Sequence, residues 1–216
     1  MPDPSASHGR LLGYFGGTFD PVHYGHLRPA IELAEAYRLD TLSLLPNHRP
    51  AHRGPTGATS ADRIRMLELA VADVPRLIVD AREAERDAPS YTVDTLHELH
   101  EEDPLVTLVF FLGIDAFAHF DTWSRWEEIL RLANLVVIER PEAEHSRFSR
   151  NLLRRQQARH GKRIERGRRG VIVEQAVTQL EISATDLRHR LAAGLSIRFL
   201  LPEAVREYID EHGLYR

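Results

Sequence analysis

Two histidines, His23 and His26, stand three residues apart inside the stretch GGTFDPVHYGHL, Gly16 to Leu27. Imidazoles at that spacing fall on one face of a helix, and paired donors suit an anion, most naturally a chain of phosphates. The surrounding residues fit the same chemistry. Gly16 and Gly17 carry no Cβ to hold a ligand away from the backbone, and Asp20-Pro21 fixes a turn just before the helix. An apolar run, Leu11 to Phe15, comes before the stretch and helical spacing comes after it. The turn therefore joins a strand to a helix, where free backbone N–H groups favour negative charge. Taken singly, a Gly-Gly turn is common, and one histidine at a helix start is more often a surface or capping residue. The whole order of strand, Gly-Gly-Thr, Asp-Pro, His-x-Gly-His and helix is specific, and neither a Walker A loop nor G-x-G-x-x-G offers a competing phosphate site.

A second run, ISATDLRHRL from Ile182 to Leu191, carries related chemistry. Ser183 is placed to cap a helix, and Thr185 with Arg188 on one face can meet an anion at its positive end. Capping alone explains Ser183 but does not call for Arg188. Between the two runs lie weaker candidates. His48, Arg49, His52 and Arg53 form a basic loop after a second strand, which is either a solvated charge run or a phosphate contact. Ser90, Thr92, Asp94 and Thr95 surround a helix start and read on their own as capping chemistry. Asp115 follows the most strand-like run, Leu105 to Leu112, where a carboxylate suits a ribose hydroxyl or caps the next helix. Trp123 and Trp126 are three apart. Trp126 beside Ile129 and Leu130 reads as core, and Trp123 can stack on a flat ring. Arg140, past another strand, can bind a carboxylate or phosphate bidentately or lie in solvent.

The stretch Gly16 to Leu27 resembles the signature of the nucleotidyltransferase superfamily marked by H-x-G-H, and is most similar to that of bacterial nicotinate-nucleotide adenylyltransferases. PNHRPAHRG resembles that family's P-x-x-x-P-P-H-K, with Ala51 and Arg53 in place of the second proline and the lysine. SYTVDTL resembles its S-Y-T-x-D-T-L, and ISATDLR its I-S-S-T-x-I-R, with Ala184 and Leu187 as the replacements. The resemblance spans nearly the whole chain after about the tenth residue. It implies transfer of AMP from ATP to nicotinate mononucleotide, giving deamido-NAD and pyrophosphate. It assigns the ATP phosphates and nucleotide to Gly16, Gly17, Thr18, Phe19, His52, Asp115, Ser183, Thr185 and Arg188, with His23, His26 and Arg188 as the catalytic groups. Tyr91, Thr92, Trp123 and Arg140 fall to the nicotinate nucleotide. Mg²⁺ is implied as a substrate-bound ion, with no protein metal site. The alternatives are a sister transferase acting on nicotinamide mononucleotide or phosphopantetheine, a nucleotide sensor without turnover, and an RNA-binding module.

The elements that must position these residues read as α/β. Strand and helix patterns alternate, which predicts a doubly wound, Rossmann-like domain with a mainly parallel sheet and C-terminal helices. Strands are expected at Leu11 to Phe15, Thr41 to Leu45, Arg76 to Val79, Leu105 to Leu112, Leu135 to Ile138 and Val171 to Val173. Ser60 is expected to cap a helix with an apolar stripe, and a last helix to start near Pro202. A single nucleotidyltransferase domain is expected over 11–216, its phosphate motif and closing helices at 180–216, behind a flexible N-terminal segment, 1–10.

Composition agrees: 216 residues, 43% apolar and 28% charged, are those of an ordinary globular protein. With no cysteine, disulfides and thiolate metal sites are excluded. MPDPSASHGR lacks the apolar centre of a signal peptide and no run is long enough to cross a bilayer, so a cytoplasmic protein without a membrane partner is expected. A net charge of −4 argues against general nucleic-acid binding. Ser146 to Gly170 nevertheless holds ten Arg or Lys against one acid, Glu165. With Phe148 as its only aromatic, the segment reads as a solvated basic helix and loop, bordering the nucleotide or a homo-oligomer contact.

Overall fold

The computed structural model describes residues 9–47, 57–86, 89–140 and 145–216. Its six strands form one parallel sheet: β1 (Leu11–Gly17), β2 (Thr41–Pro46), β3 (Leu77–Val79), β4 (Thr107–Gly113), β5 (Ala133–Ile138) and β6 (Ile172–Gln175). The order is β3-β2-β1-β4-β5-β6, so it reverses between β1 and β4 as in doubly wound nucleotide-binding folds. The α/β expectation holds. Helices α1 (Tyr24–Ala36), α2 (Ser60–Val71) and α3 (Thr92–Glu102) connect the first four strands. After β4 come the short α4 (Ile114–Ala118), a 3₁₀ turn at Phe120–Thr122, and α5 (Trp126–Leu132). Then α6 (Arg147–His160) leads to β6, and α7 (Ala184–Ala192) and α8 (Glu203–Glu211) close the chain.

Where a single domain over 11–216 is expected, the chain divides into two compact units. One comprises residues 1–15, 37–42 and 91–177, and the other 16–36, 43–90 and 178–216. In the first, β4 and β5 are buried along nearly their whole length, which is why Leu108 to Leu112 reads as an apolar run rather than an alternation. Leu105 is the exception: it is 74% exposed and precedes the strand, because Asp103 and Leu105 form a turn in which the Leu105 N–H donates to the Asp103 carboxylate. Asn134, fully buried in β5, knits the sheet edge. Its Nδ2 donates to the Arg168 carbonyl and its Oδ1 accepts from the Val171 N–H. Part of the basic segment is structural too, since Arg166 forks onto the Asp40 carboxylate while Asp40 accepts from the Leu11 N–H. The rest follows the expectation of a basic helix. α6 buries Ser149, Leu152, Leu153 and Gln156 and turns Arg147, Arg150, Arg154, Arg155 and Arg159 outward.

In the second unit, the α2 cap differs from expectation by one residue. Thr59, not Ser60, is the N-cap, in a reciprocal capping box with Asp62. The S/T-x-x-D pattern fits Thr59 to Asp62 and leaves the Ser60 hydroxyl to accept from Arg63. The last helix starts just after Pro202, as expected.

Candidate active site

The phosphate-type residues collect in the second unit. β1 continues two residues further than its apolar run, so Gly16 and Gly17 end the strand rather than form the turn. A Cβ on Gly17 would stand 2.8 Å from the Phe19 ring. Phe19, only 2% exposed and at φ 48°, packs edge-on against His26 at 5.0 Å. Its side chain is a support for that imidazole, enclosed by protein.

His23 and His26 meet as their spacing implied. Their rings stack with centroids 3.8 Å apart. His23 is nearly enclosed, and burial pushes its imidazole down to about 4; the positive end of α1 acts in the same direction. At neutral pH it is therefore an uncharged ring that can donate one N–H. Free backbone N–H groups at this helix start were expected, and here the structure differs. The Tyr24 N–H donates to the Leu200 carbonyl, and the His26 and Leu27 N–H groups donate to the His23 carbonyl. The tight turn that stacks the imidazoles uses these three donors.

Gly25 makes the stack possible. A Cβ there would lie 2.9 Å from His23 Nδ1 and 3.2 Å from the Ile182 carbonyl, so the first motif's glycine is also the seat of the second motif's backbone. Glu32, further along α1, draws that second segment in. Its carboxylate accepts from the Thr178 N–H and is held down to about 2, chiefly by hydrogen bonding from the Thr178 side chain, with the Thr178 N–H and Arg28 adding to it. Ser183 caps α7 by accepting from the Asp186 N–H. Thr185 is exposed, and Arg188 donates to its hydroxyl at 3.4 Å. The shorter bond of Arg188 runs to the Asp20 carbonyl at 2.6 Å. Ser183, Thr185 and Arg188 thus share one helix start, with Arg188 resting on the turn between β1 and α1. His52 lies outside the described residues, as do His48, Arg49 and Arg53.

The first unit holds the other group. Asp115 sits in the first turn of α4 and Arg140 just past β5, and they form an exposed ion pair at 3.2 Å. The N-cap of α4 is Gly113 with no side-chain cap, so Asp115 does not take the capping role. Tyr91 is the N-cap position of α3, also without a side-chain cap, and is 41% exposed. Capping therefore does not account for the polar run here. Ser90, the last residue of the second unit's middle piece, donates to the Glu83 carbonyl of that unit, whereas in the first unit Asp94 pairs with Arg125 and Thr92 opens the helix. Trp123 is half-buried, with its ring near Phe110 and Phe120. Trp126, expected in the core, is half-buried as well and packs edge-on against Phe148.

Residues 14–190 match the cytidylyltransferase-like family. The chain belongs to that family. Among its relatives, a protein of Pseudomonas syringae pv. tomato named "Probable nicotinate-nucleotide adenylyltransferase" is 49% identical, over 96% of this chain and 94% of its own. A Cellvibrio japonicus protein of the same name is 48% identical, over 95% of this chain and 98% of its own. The resemblance carried by the H-x-G-H stretch and its companion motifs is borne out at this level. Among solved structures, Plasmodium falciparum nicotinic acid mononucleotide adenylyltransferase complexed with NaAD superposes with a TM-score of 0.73 at 16% identity, over 95% of this chain and 97% of that one. At that identity the likeness speaks for the fold.

For this cytidylyltransferase-like chain, sequence reading passed over four residues that organise the phosphate-type motif. Gly25 was visible in H-x-G-H but its contact with Ile182 was not. Arg63 was hidden in the apolar stripe of α2. It is fully buried, donates to the Thr18 carbonyl at 2.8 Å and to Ser60, and has its guanidinium value lowered by that burial. Asp20, read as a turn residue, is a buried acceptor for the Gly57 and Ala58 N–H groups and for the Tyr215 hydroxyl. Asp-Pro was its only signal, and nothing in the sequence pointed to Tyr215.

Proposed function

We propose that the protein transfers AMP from ATP to nicotinate mononucleotide, releasing pyrophosphate and deamido-NAD. The observation that carries this reading is the stacked His23 and His26 pair at the start of α1, with Arg188 resting on the adjoining turn. Relatives sharing 49% and 48% identity and bearing the adenylyltransferase name favour it over the sister transferases. The acceptor already carries a phosphate, so no covalent enzyme intermediate is required, and catalysis reduces to positioning and charge stabilisation. The acceptor 5′-phosphate attacks the α-phosphorus in line. His26, assisted by the uncharged His23, donates to the oxygens on which charge grows. Arg188, Ser183 and Thr185 hold the β- and γ-phosphates that leave as pyrophosphate. Tyr91, Thr92, Trp123 and Arg140 are assigned to the nicotinate nucleotide, with Trp123 stacking on the pyridine ring and Arg140 meeting negative charge. Asp115 is assigned to a ribose hydroxyl.

Among the described residues no three His, Asp or Glu side chains gather as a metal site. ATP is taken as its Mg²⁺ complex, a substrate whose ion is held by phosphate oxygens and water. No described helix is long and apolar enough to cross a membrane, and the supply of ATP suits a cytoplasmic location. The test is pyrophosphate release from ATP and Mg²⁺ with nicotinate mononucleotide, nicotinamide mononucleotide or phosphopantetheine as acceptor, with His26→Ala in parallel. Preference for the nicotinate form, lost in the variant, is the expected result. Preference for another acceptor would overturn the assignment of Tyr91, Thr92 and Trp123, and no release with any acceptor would favour a nucleotide sensor.

A further inference from the structure

The Asp20 carboxylate is 4% exposed, yet it stands within the turn that carries the histidines. Its oxygens accept from the Gly57 N–H at 2.7 Å, the Ala58 N–H at 3.1 Å and the Tyr215 hydroxyl at 2.7 Å. Burial keeps the Tyr215 phenol well above its ordinary value, so it remains a neutral donor. Arg188 reaches this cluster only through a long ion pair. Its guanidinium is 3.8 Å from the nearer carboxylate oxygen and donates instead to the Asp20 carbonyl at 2.6 Å. Gly57 is where the parts touch, since a Cβ there would stand 2.9 Å from the Tyr215 ring and 3.3 Å from Arg188 Cδ. The ring and the arginine stem therefore pack over the same backbone, and the hydroxyl completes the acceptor that would otherwise pull the guanidinium inward.

We propose that Tyr215 is a positioning residue for Arg188: by saturating Asp20 and walling the turn at Gly57, it keeps the guanidinium available to a nucleotide's β- and γ-phosphates. The proposal rests on the reading of this motif as an ATP-phosphate site. A buried carboxylate that loses a donor must find another. With phenylalanine at 215, the partly exposed cation at hand is Arg188, 3.8 Å away, since Arg63, the other guanidinium that feels Asp20, is buried and held on the Thr18 carbonyl. It turns from the carbonyl onto the carboxylate, and the long ion pair closes to a hydrogen-bonded one that competes with phosphate for the same guanidinium.

The experiment compares Tyr215→Phe with the unaltered protein in steady-state kinetics, varying ATP and nicotinate mononucleotide separately. Loss of one charge-assisted contact to phosphate corresponds to about a tenfold rise in KM for ATP, with KM for nicotinate mononucleotide unchanged. In an Arg188→Ala background the same substitution should change KM for ATP by less than about twofold, because the group it acts through is gone. Tyr208→Phe is the control. Tyr208, on α8, donates to Asp62 at 2.9 Å and has no contact with Asp20, so its loss should lower stability and leave KM alone. An unchanged KM for ATP in Tyr215→Phe, or an undiminished effect without Arg188, would overturn the proposal. If the unaltered protein does not turn over, the functional reading fails, and calorimetric affinity for ATP with Mg²⁺ replaces KM in the same comparison. A protein that neither turns over nor binds ATP overturns both.

Discussion

Acidification should cost this protein stability through one buried imidazole, and the cost can be worked from His23. In the unfolded chain the ring titrates near 6.5, and in the folded protein near 4, because burial penalises the charged form. The folded value is lowered, so the unfolded chain takes up the proton first as pH falls. The stabilisation is whole above about 6.5 and is lost progressively down to about 4. At about 1.4 kcal/mol per pH unit, the full loss is about 3 kcal/mol, of which about 2 kcal/mol has gone by pH 5. Urea unfolding followed by the fluorescence of Trp123 and Trp126, at pH 7 and pH 5, measures the loss directly. His100, also lowered by burial, and the carboxylates contribute to the raw curve. The informative quantity is therefore the difference between the unaltered protein and His23→Gln. The unaltered protein should lose about 2 kcal/mol more than the variant between those pH values. Parallel losses in the two proteins would refute the assignment of a buried, uncharged His23, and with it the picture of that ring as a neutral donor.

Further substitutions test the supports of the same turn and the cap of α2. Gly25→Ala should push on His23 and the Ile182 carbonyl together and lower kcat by about a hundredfold, as expected for a displacement near 1 Å, measured as pyrophosphate release. Arg63→Met leaves the buried Thr18 carbonyl without its guanidinium donor and should cost about 1–3 kcal/mol in urea unfolding, with Arg63→Lys a partial rescue at best because an ammonium cannot span Thr18 and Ser60. Thr59→Ala removes the α2 capping box and should cost about 1 kcal/mol, with kcat unchanged.

The legible parts of this protein were those written in local pattern. The apolar runs of β2, β4 and β5 and the periodicity of α1 and α2 announce themselves because burial imposes period on neighbours in sequence. The His23 and His26 stack was legible for the same reason, since a helix start brings residues three apart onto one face. Ser183 followed from capping chemistry within a single turn. What could not be read depends on distant segments. Asp20 looks like a turn residue until Gly57, Ala58 and Tyr215 arrive to fill its oxygens. Arg63 stands among the apolar residues of α2 as an arginine that pattern alone would turn outward, yet it points inward and donates to the Thr18 carbonyl. The backbone donors at the start of α1 were misjudged similarly, for the partner of the Tyr24 N–H is Leu200, far along the chain.

The interleaving of the two units bears on how the protein comes into being. The unit holding the histidines draws its third piece from 178–216. As a ribosome extends the chain, the first unit can gather its residues once position 177 has emerged, while the other must wait for residues 178–216. The bond from Tyr215 to Asp20 spans 195 residues, a loop whose closure is entropically costly and comes late. Chains that stop short of Tyr215 lack the donor that fills Asp20, so the finished turn that carries the histidines belongs to late folding.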